Sequence, residues 1–184
     1  MIRTEPGLIP ASSEAGYSPC LPISILTNGD HTKYVVLVRM DKETLAYVAG
    51  LFDGEGSIVI GVSKPSDKNQ LKRPSHWLQV GITNTNRELI DWLHDTFGGH
   101  ISDNSHSPSR RKQRPCWAWR VMSNEGAAFL ETIYPYSRIK KEQMKLAIAF
   151  QEYRREKLPS EEQILKRDWY KAEISKLCLG CRTL

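Results

Sequence analysis

Cysteine is scarce in this chain and long apolar runs are absent. Four cysteines in 184 residues cannot make a disulfide scaffold, which fits a reducing compartment. Cys178 and Cys181 form a lone CxxC; with no second pair or histidine beside it, it supplies two zinc ligands at most. His31, His76, His94, His100 and His106 show no ligand spacing and read as surface or sheet residues. Apolar runs such as Tyr34–Val38 stop at five residues, far below the roughly 18–20 of a membrane-spanning helix. No basic flank followed by an apolar segment opens the chain, so a secretory signal is not expected and an intracellular location is.

What is there suffices for one ordinary domain. The hydrophobic fraction is 40%, and Lys+Arg 26 against Asp+Glu 21 leaves a formal charge of +5. Prolines 6, 10, 19 and 22 interrupt the first 33 residues and no period survives there, so residues 1–40 read as a poorly ordered N-terminal extension, with Tyr34–Met40 as a possible added strand. From Asp41 the pattern is regular. Asp41 or Thr44 caps a helix through Leu45, Val48, Leu51 and Phe52, ended by Gly54 and Gly56. Alternation predicts strands over 57–64 and 77–83, a helix over 84–98, strands over 100–104 and 117–122, then a helix through Ala127, Phe129, Leu130 and Ile133. A longer helix over 139–157 and a charged one over 161–176 finish the chain. The fold class is α+β, with a main domain over 41–157 and a C-terminal helical tail over 158–184.

The most informative stretch is Val48-Ala49-Gly50-Leu51-Phe52-Asp53-Gly54-Glu55-Gly56. Ala46, Gly50 and Gly54 are four apart and share one helix face, where small side chains allow a second helix backbone to come close. Asp53 and Glu55 then stand at the helix C-terminus, where the macrodipole disfavours negative charge by roughly 0.3–1 kcal/mol. A bland reading makes them turn caps before a strand. A functional reading makes them paired carboxylates whose repulsion a divalent cation with oxygen ligands, such as Mg²⁺, would relieve.

This stretch resembles the signature of the LAGLIDADG homing endonucleases, and the order of elements over residues 41–157 is similar as well. The resemblance implies an αββαββα core with an antiparallel DNA-binding sheet saddle, here extended by a C-terminal helix. With one motif in the chain, it implies a homodimer whose motif helices meet through Ala46, Ala49, Gly50 and Asp53. It implies Mg²⁺ held by Glu55 and the Gly54 carbonyl, with Asp53 structural. Glu55 stands where Asp is commoner. Lys140, in Tyr134-Pro135-Tyr136-Ser137-Arg138-Ile139-Lys140, matches a lysine that points at the active site, with Lys141 as runner-up. Without that match both lysines read as a solvated helix start. Asn84 matches a polar residue that orders water near the scissile phosphate. The activity implied is cleavage of both DNA strands at a long, partly palindromic site, leaving short 3′ overhangs. The same resemblance leaves open an RNA maturase that assists intron splicing, or a DNA-binding regulator without cleavage.

Charge agrees with a nucleic-acid partner. Between Lys64 and Arg120 there are ten basic and five acidic residues, so the positive excess gathers on the strands and their connections. Strand alternation puts Ser63, with Lys64 beyond it, on the DNA side, together with Gln79, Thr83, Ser102, Asn104 and Arg120. Arg110, Arg111, Lys112 and Arg114 form a basic loop suited to phosphate contacts, which position a protein on DNA without specifying sequence. Trp117, Trp119 and Val121 are expected on the core face.

Overall fold

A computed structural model of the chain describes residues 21–27, 33–38, 40–63, 74–104, 114–154 and 159–180. Within the expected N-terminal extension, β1 (Leu21–Thr27) and β2 (Lys33–Val38) pair antiparallel as a separate two-stranded sheet. The pairing runs from Leu21 opposite Val38 to Thr27 opposite Lys33. The first 20 residues of the chain lie outside the described ones.

α1 (Lys42–Glu55) starts where its cap predicts. Asp41 Oδ1 accepts from the Thr44 N–H at 2.6 Å and Oδ2 from the Thr44 hydroxyl at 2.9 Å. The helix runs through Gly54 and ends on Gly56, whose N–H donates to the Phe52 carbonyl. A Cβ on Gly56 would collide with the Phe52 ring and carbonyl, so the tight turn from helix into strand needs glycine. β3 (Gly56–Ser63) and β4 (Ser75–Asn84) follow as a hairpin, then α2 (Arg87–Phe97), β5 (His100–Asp103) and β6 (Trp117–Met122). Asn86 caps α2 through the Leu89 N–H at 3.1 Å, while Asn84 accepts from the Asn86 N–H at 2.8 Å. α3 (Ser123–Ile133), α4 (Lys141–Tyr153) and α5 (Glu161–Gly180) complete the chain. Neither Ser123 nor Asn124 caps α3; Met122 occupies that position without a side-chain bond.

The four strands after α1 form one antiparallel sheet in the order β3-β4-β6-β5. The αββαββα order expected of the core is therefore observed, with α4 and α5 added after it. One sheet face carries Ile58, Ile60, Leu78, Val80, Ile82, Trp119 and Val121, all at most 3% exposed, under the helices. Phe129 joins Phe52, Phe97 and Trp119 edge-to-face within it. Among the described residues, the opposite face carries no helix. Thus the alternation expected in β3, β4 and β6 is the alternation observed.

α5 lies outside the expected main domain yet is built into its core. It packs on β3 and α4, and Ile174 is 2% exposed. His76, read from sequence as a surface or sheet residue, is fully buried on the core face, where its Nε2 lies 2.8 Å from Asp168 Oδ1 of α5. Ile174→Ala should therefore destabilise the whole domain by about 2–4 kcal/mol in denaturant unfolding. An unchanged midpoint would mean that α5 is an independent appendage.

Candidate active site

Both acids of the motif sit at the C-terminus of α1, and the tertiary structure treats them differently. The Asp53 carboxylate faces the segment that leads into α4. Its Oδ1 accepts from the buried Ser137 hydroxyl at 2.6 Å and the Lys140 N–H at 3.1 Å; its Oδ2 accepts from the Arg138 N–H at 2.7 Å and the Ile139 N–H at 3.2 Å. Burial pushes the carboxyl pKa up, but the bonds from Arg138, Ser137, Ile139 and Lys140 together outweigh it and hold the group below its ordinary value. Asp53 thus joins two segments more than 80 residues apart in sequence.

Lys140 closes the same turn from the other side. Its Nζ donates to the Phe52 carbonyl at 3.0 Å and also to the Asp53 carbonyl. No basic residue of α1 itself stands in its last turn. Lys140 therefore supplies the cation that the macrodipole favours there, adding a donor to the Asp53 carbonyl and a second one to the Phe52 carbonyl, which already takes the Gly56 N–H.

Glu55 receives no such compensation. It is exposed, and its carboxylate makes no hydrogen bond among the described residues. β4 extends past the start of β3, since Gly56 pairs with Ile82, so Asn84 lies at the sheet end where Glu55 emerges. Glu55, Asn84 and Lys140 are thereby brought to one end of the domain. Gly54 is exposed beside Glu55. Ala46, Gly50 and Gly54 form an open stripe, and a Cβ built on Gly50 or Gly54 would meet nothing within 4 Å. Two residues expected at a dimer interface face elsewhere. Ala49 is fully buried in the chain's own core, and Asp53 is committed to the Ser137–Lys140 segment. Helical periodicity explains the first: Ala49 is one residue from Gly50 and about 100° away around the axis.

A donor set of one carboxylate and one backbone carbonyl suits Mg²⁺, which keeps several waters and takes one or two carboxylates from protein. No cluster of three or more His, Cys, Asp or Glu is found among the described residues. The oxygen donors at this end of α1 therefore fit a partly hydrated hard cation and not a closed transition-metal cage.

The helix-free sheet face holds Ser63, Gln79, Thr83, Ser102 and Arg120, with Asn104 following β5. The Ser63 hydroxyl donates to the Ser75 carbonyl at 3.3 Å. Arg120 Nη1 donates to the Ser102 hydroxyl. Arg114 is exposed. Lys64, Arg110, Arg111 and Lys112 lie outside the described residues, as does Cys181 of the CxxC. Sequence reasoning missed Val59 and Met122, which stand on this face 46% and 41% exposed. Their signal was parity: each is apolar at an outward position of its strand.

Replacing Asp53 by Asn should cost about 1–3 kcal/mol at neutral pH, because charged acceptors hold their donors more strongly than neutral ones. The folded pKa is lowered, so this stabilisation is present above the unfolded value near 3.9 and is lost as pH falls through the folded one. The gap between wild type and Asp53→Asn should accordingly narrow below about pH 4 in urea melts. A gap that stays constant with pH would assign the loss to packing.

Comparison with solved structures identifies the architecture. The chain is similar to the homing endonuclease I-CvuI in complex with a DNA target, with a TM-score of 0.62 and 15% identity over 74% of this chain and 82% of that one. It is similar to the archaeal intron-encoded homing endonuclease I-Vdi141I complexed with DNA, with a TM-score of 0.61 and 18% identity over 75% and 86% of the two chains. For the homing endonuclease I-TnaI the TM-score is 0.56 and the identity 19%, over 76% and 96%. No protein-family model and no curated protein matches the sequence. The chain therefore has the homing-endonuclease fold: helices over one face of a four-stranded antiparallel sheet whose other face is open.

Proposed function

We propose that this protein is a site-specific double-strand DNA endonuclease of the LAGLIDADG type, acting as a Mg²⁺-dependent homodimer. One observation carries the reading. Of two acids placed against the macrodipole, Asp53 has its charge satisfied by tertiary hydrogen bonds, while Glu55 is left exposed and without a hydrogen bond among the described residues, beside an open stripe of small residues. A stability-driven sequence has no reason to keep Glu55 there.

In this reading two α1 helices cross through Ala46, Gly50 and Gly54, which brings the two Glu55 carboxylates to one centre. Glu55 and the Gly54 carbonyl would hold Mg²⁺, which when bound activates water and stabilises charge on the phosphodiester. Lys140 holds the last turn of α1 closed and keeps a positive charge beside the reacting phosphate. Asn84 orients water at the mouth of the site. The sheet's open face follows the DNA major groove, and Arg114 with the basic loop before it neutralises phosphates.

The test is incubation of the purified chain with a library of candidate duplexes, in Mg²⁺ and separately in Ca²⁺. Mg²⁺-dependent cuts in both strands with 3′ overhangs are expected. Salt-sensitive binding in both ions without any cut would overturn the nuclease reading in favour of a DNA-binding regulator.

A further inference from the structure

The sheet's open face carries a pattern that a generic phosphate-binding surface does not need. Gln79, in the middle of β4, pairs with Val59 on one side and with Met122 on the other. These flanking residues are 46% and 41% exposed. A single exposed apolar side chain is ordinary, but two across one row, either side of one amide, make a patch. The Gln79 side chain makes no hydrogen bond among the described residues, so both ends of its amide are available.

The next row along β4 differs in kind. Gly81 there pairs with Arg120. A Cβ on Gly81 would lie 3.2 Å from Arg120 Cγ and 2.6 Å from the Trp119 carbonyl, so the missing side chain is what lets the arginine stem lie flat across the strand. Ser102 then takes a hydrogen bond from one guanidinium nitrogen and fixes its direction. A held guanidinium loses less rotamer freedom on binding than a free one.

We infer that the row Val59–Gln79–Met122 reads A·T pairs and that Arg120, held over Gly81 by Ser102, reads a guanine nearer the cleavage centre; this rests on the DNA-binding reading proposed above. The chemistry of the major groove makes the assignment. Adenine offers an acceptor and a donor to one amide, thymine alone presents a methyl group, and guanine presents two acceptors that suit arginine. An apolar–amide–apolar row matches adenine bidentately with thymine methyls beside it, whereas a G·C pair has no methyl for the apolar side chains and no donor–acceptor pair on one base for the amide. Gln79 and Gly81 are two residues apart, roughly 7 Å along an antiparallel strand. That is the rise of about two base pairs. Glu55 lies beyond the Gly81 end of the face, because Gly56 pairs with Ile82. The guanine therefore falls on the inner side of the A·T step. The excess of basic over acidic residues between Lys64 and Arg120 suits a polyanionic duplex as partner.

The experiment is selection from a randomised duplex library by the full-length protein in Ca²⁺, repeated with Arg120→Ala, with Gln79→Ala and with the double variant Val59→Thr, Met122→Thr. Wild type should enrich sites with an A·T step and a guanine about two base pairs inward. Arg120→Ala should lose preference at the guanine alone, by roughly tenfold to a hundredfold. Gln79→Ala and the double variant should lose it at the A·T step alone, with the salt slope unchanged. Thermal melting checks that each variant is folded, and Gln79→Ala decides the row if the double variant is not. Two results would overturn the inference while leaving DNA binding intact: wild-type preferences retained by folded variants, or an Arg120→Ala loss that is uniform across sequences with a salt slope smaller by about one. Failure of wild type to enrich or bind any duplex at low salt would overturn the DNA-binding reading and this inference with it.

Discussion

Glu55→Gln should lose cleavage by a factor of about a thousand or more and keep its affinity for DNA within about twofold, since a metal-held water supplies several kcal/mol of transition-state stabilisation. The substitution is isosteric and removes only a charge. Glu55 is exposed and has no hydrogen-bond partner among the described residues, so nothing in the fold depends on it. Circular dichroism and melting temperature should match wild type. A neutral amide is a poor ligand for Mg²⁺ beside a carboxylate, so the cation and the water it activates are both lost. The measurement is the single-turnover rate of plasmid cutting in Mg²⁺, with gel-shift affinity at matched ionic strength. A variant that cuts like wild type would remove Glu55 from the site.

The second large effect is expected at Gly50. If the chain acts as the proposed homodimer, Gly50→Leu should abolish dimerisation and lower cleavage at least a hundredfold while leaving the monomer folded. The monomer has room, because a Cβ on Gly50 meets nothing within 4 Å. Helix propensity also favours the change, by about 1 kcal/mol for leucine over glycine in a helix interior. The folded monomer should thus be no less stable than before. Between two helices, however, small residues are what permit close backbone approach, and a leucine on each would push them apart. Sedimentation equilibrium and thermal melting separate the two effects. A Gly50→Leu protein that is still dimeric and active would place the interface somewhere other than the open face of α1.

Much of the fold was legible because its signals are local. Asp41 lies one residue before a helix whose apolar spacing is helical, and of the two cap candidates, Asp41 and Thr44, it is the one that caps that helix. Ile58 and Ile60 of β3, and Trp119 and Val121 of β6, fall on one face because strand side chains alternate, and they are buried together. The motif's small-residue stripe of Ala46, Gly50 and Gly54 was legible for the same reason, and all three are exposed on one face of α1. The place of α5 was not legible. A helix rich in charged residues signals exposure, yet Ile174 on one side of it enters the core and Asp168 meets the buried His76.

Within the motif the same division holds. The sequence by itself determined that two acids stand at a helix C-terminus, that small residues recur every four positions, and that positive charge gathers over the strands. Each follows from spacing within one element or from composition. Only the tertiary structure decided between the acids. Asp53 is met by Ser137, Arg138, Ile139 and Lys140 from far along the chain, and Lys140 closes the helix end above it, while Glu55 emerges without a partner. Side-chain spacing follows from the helix itself, but which carboxylate is consumed by hydrogen bonds depends on a segment more than 80 residues away, and no local period carries that information.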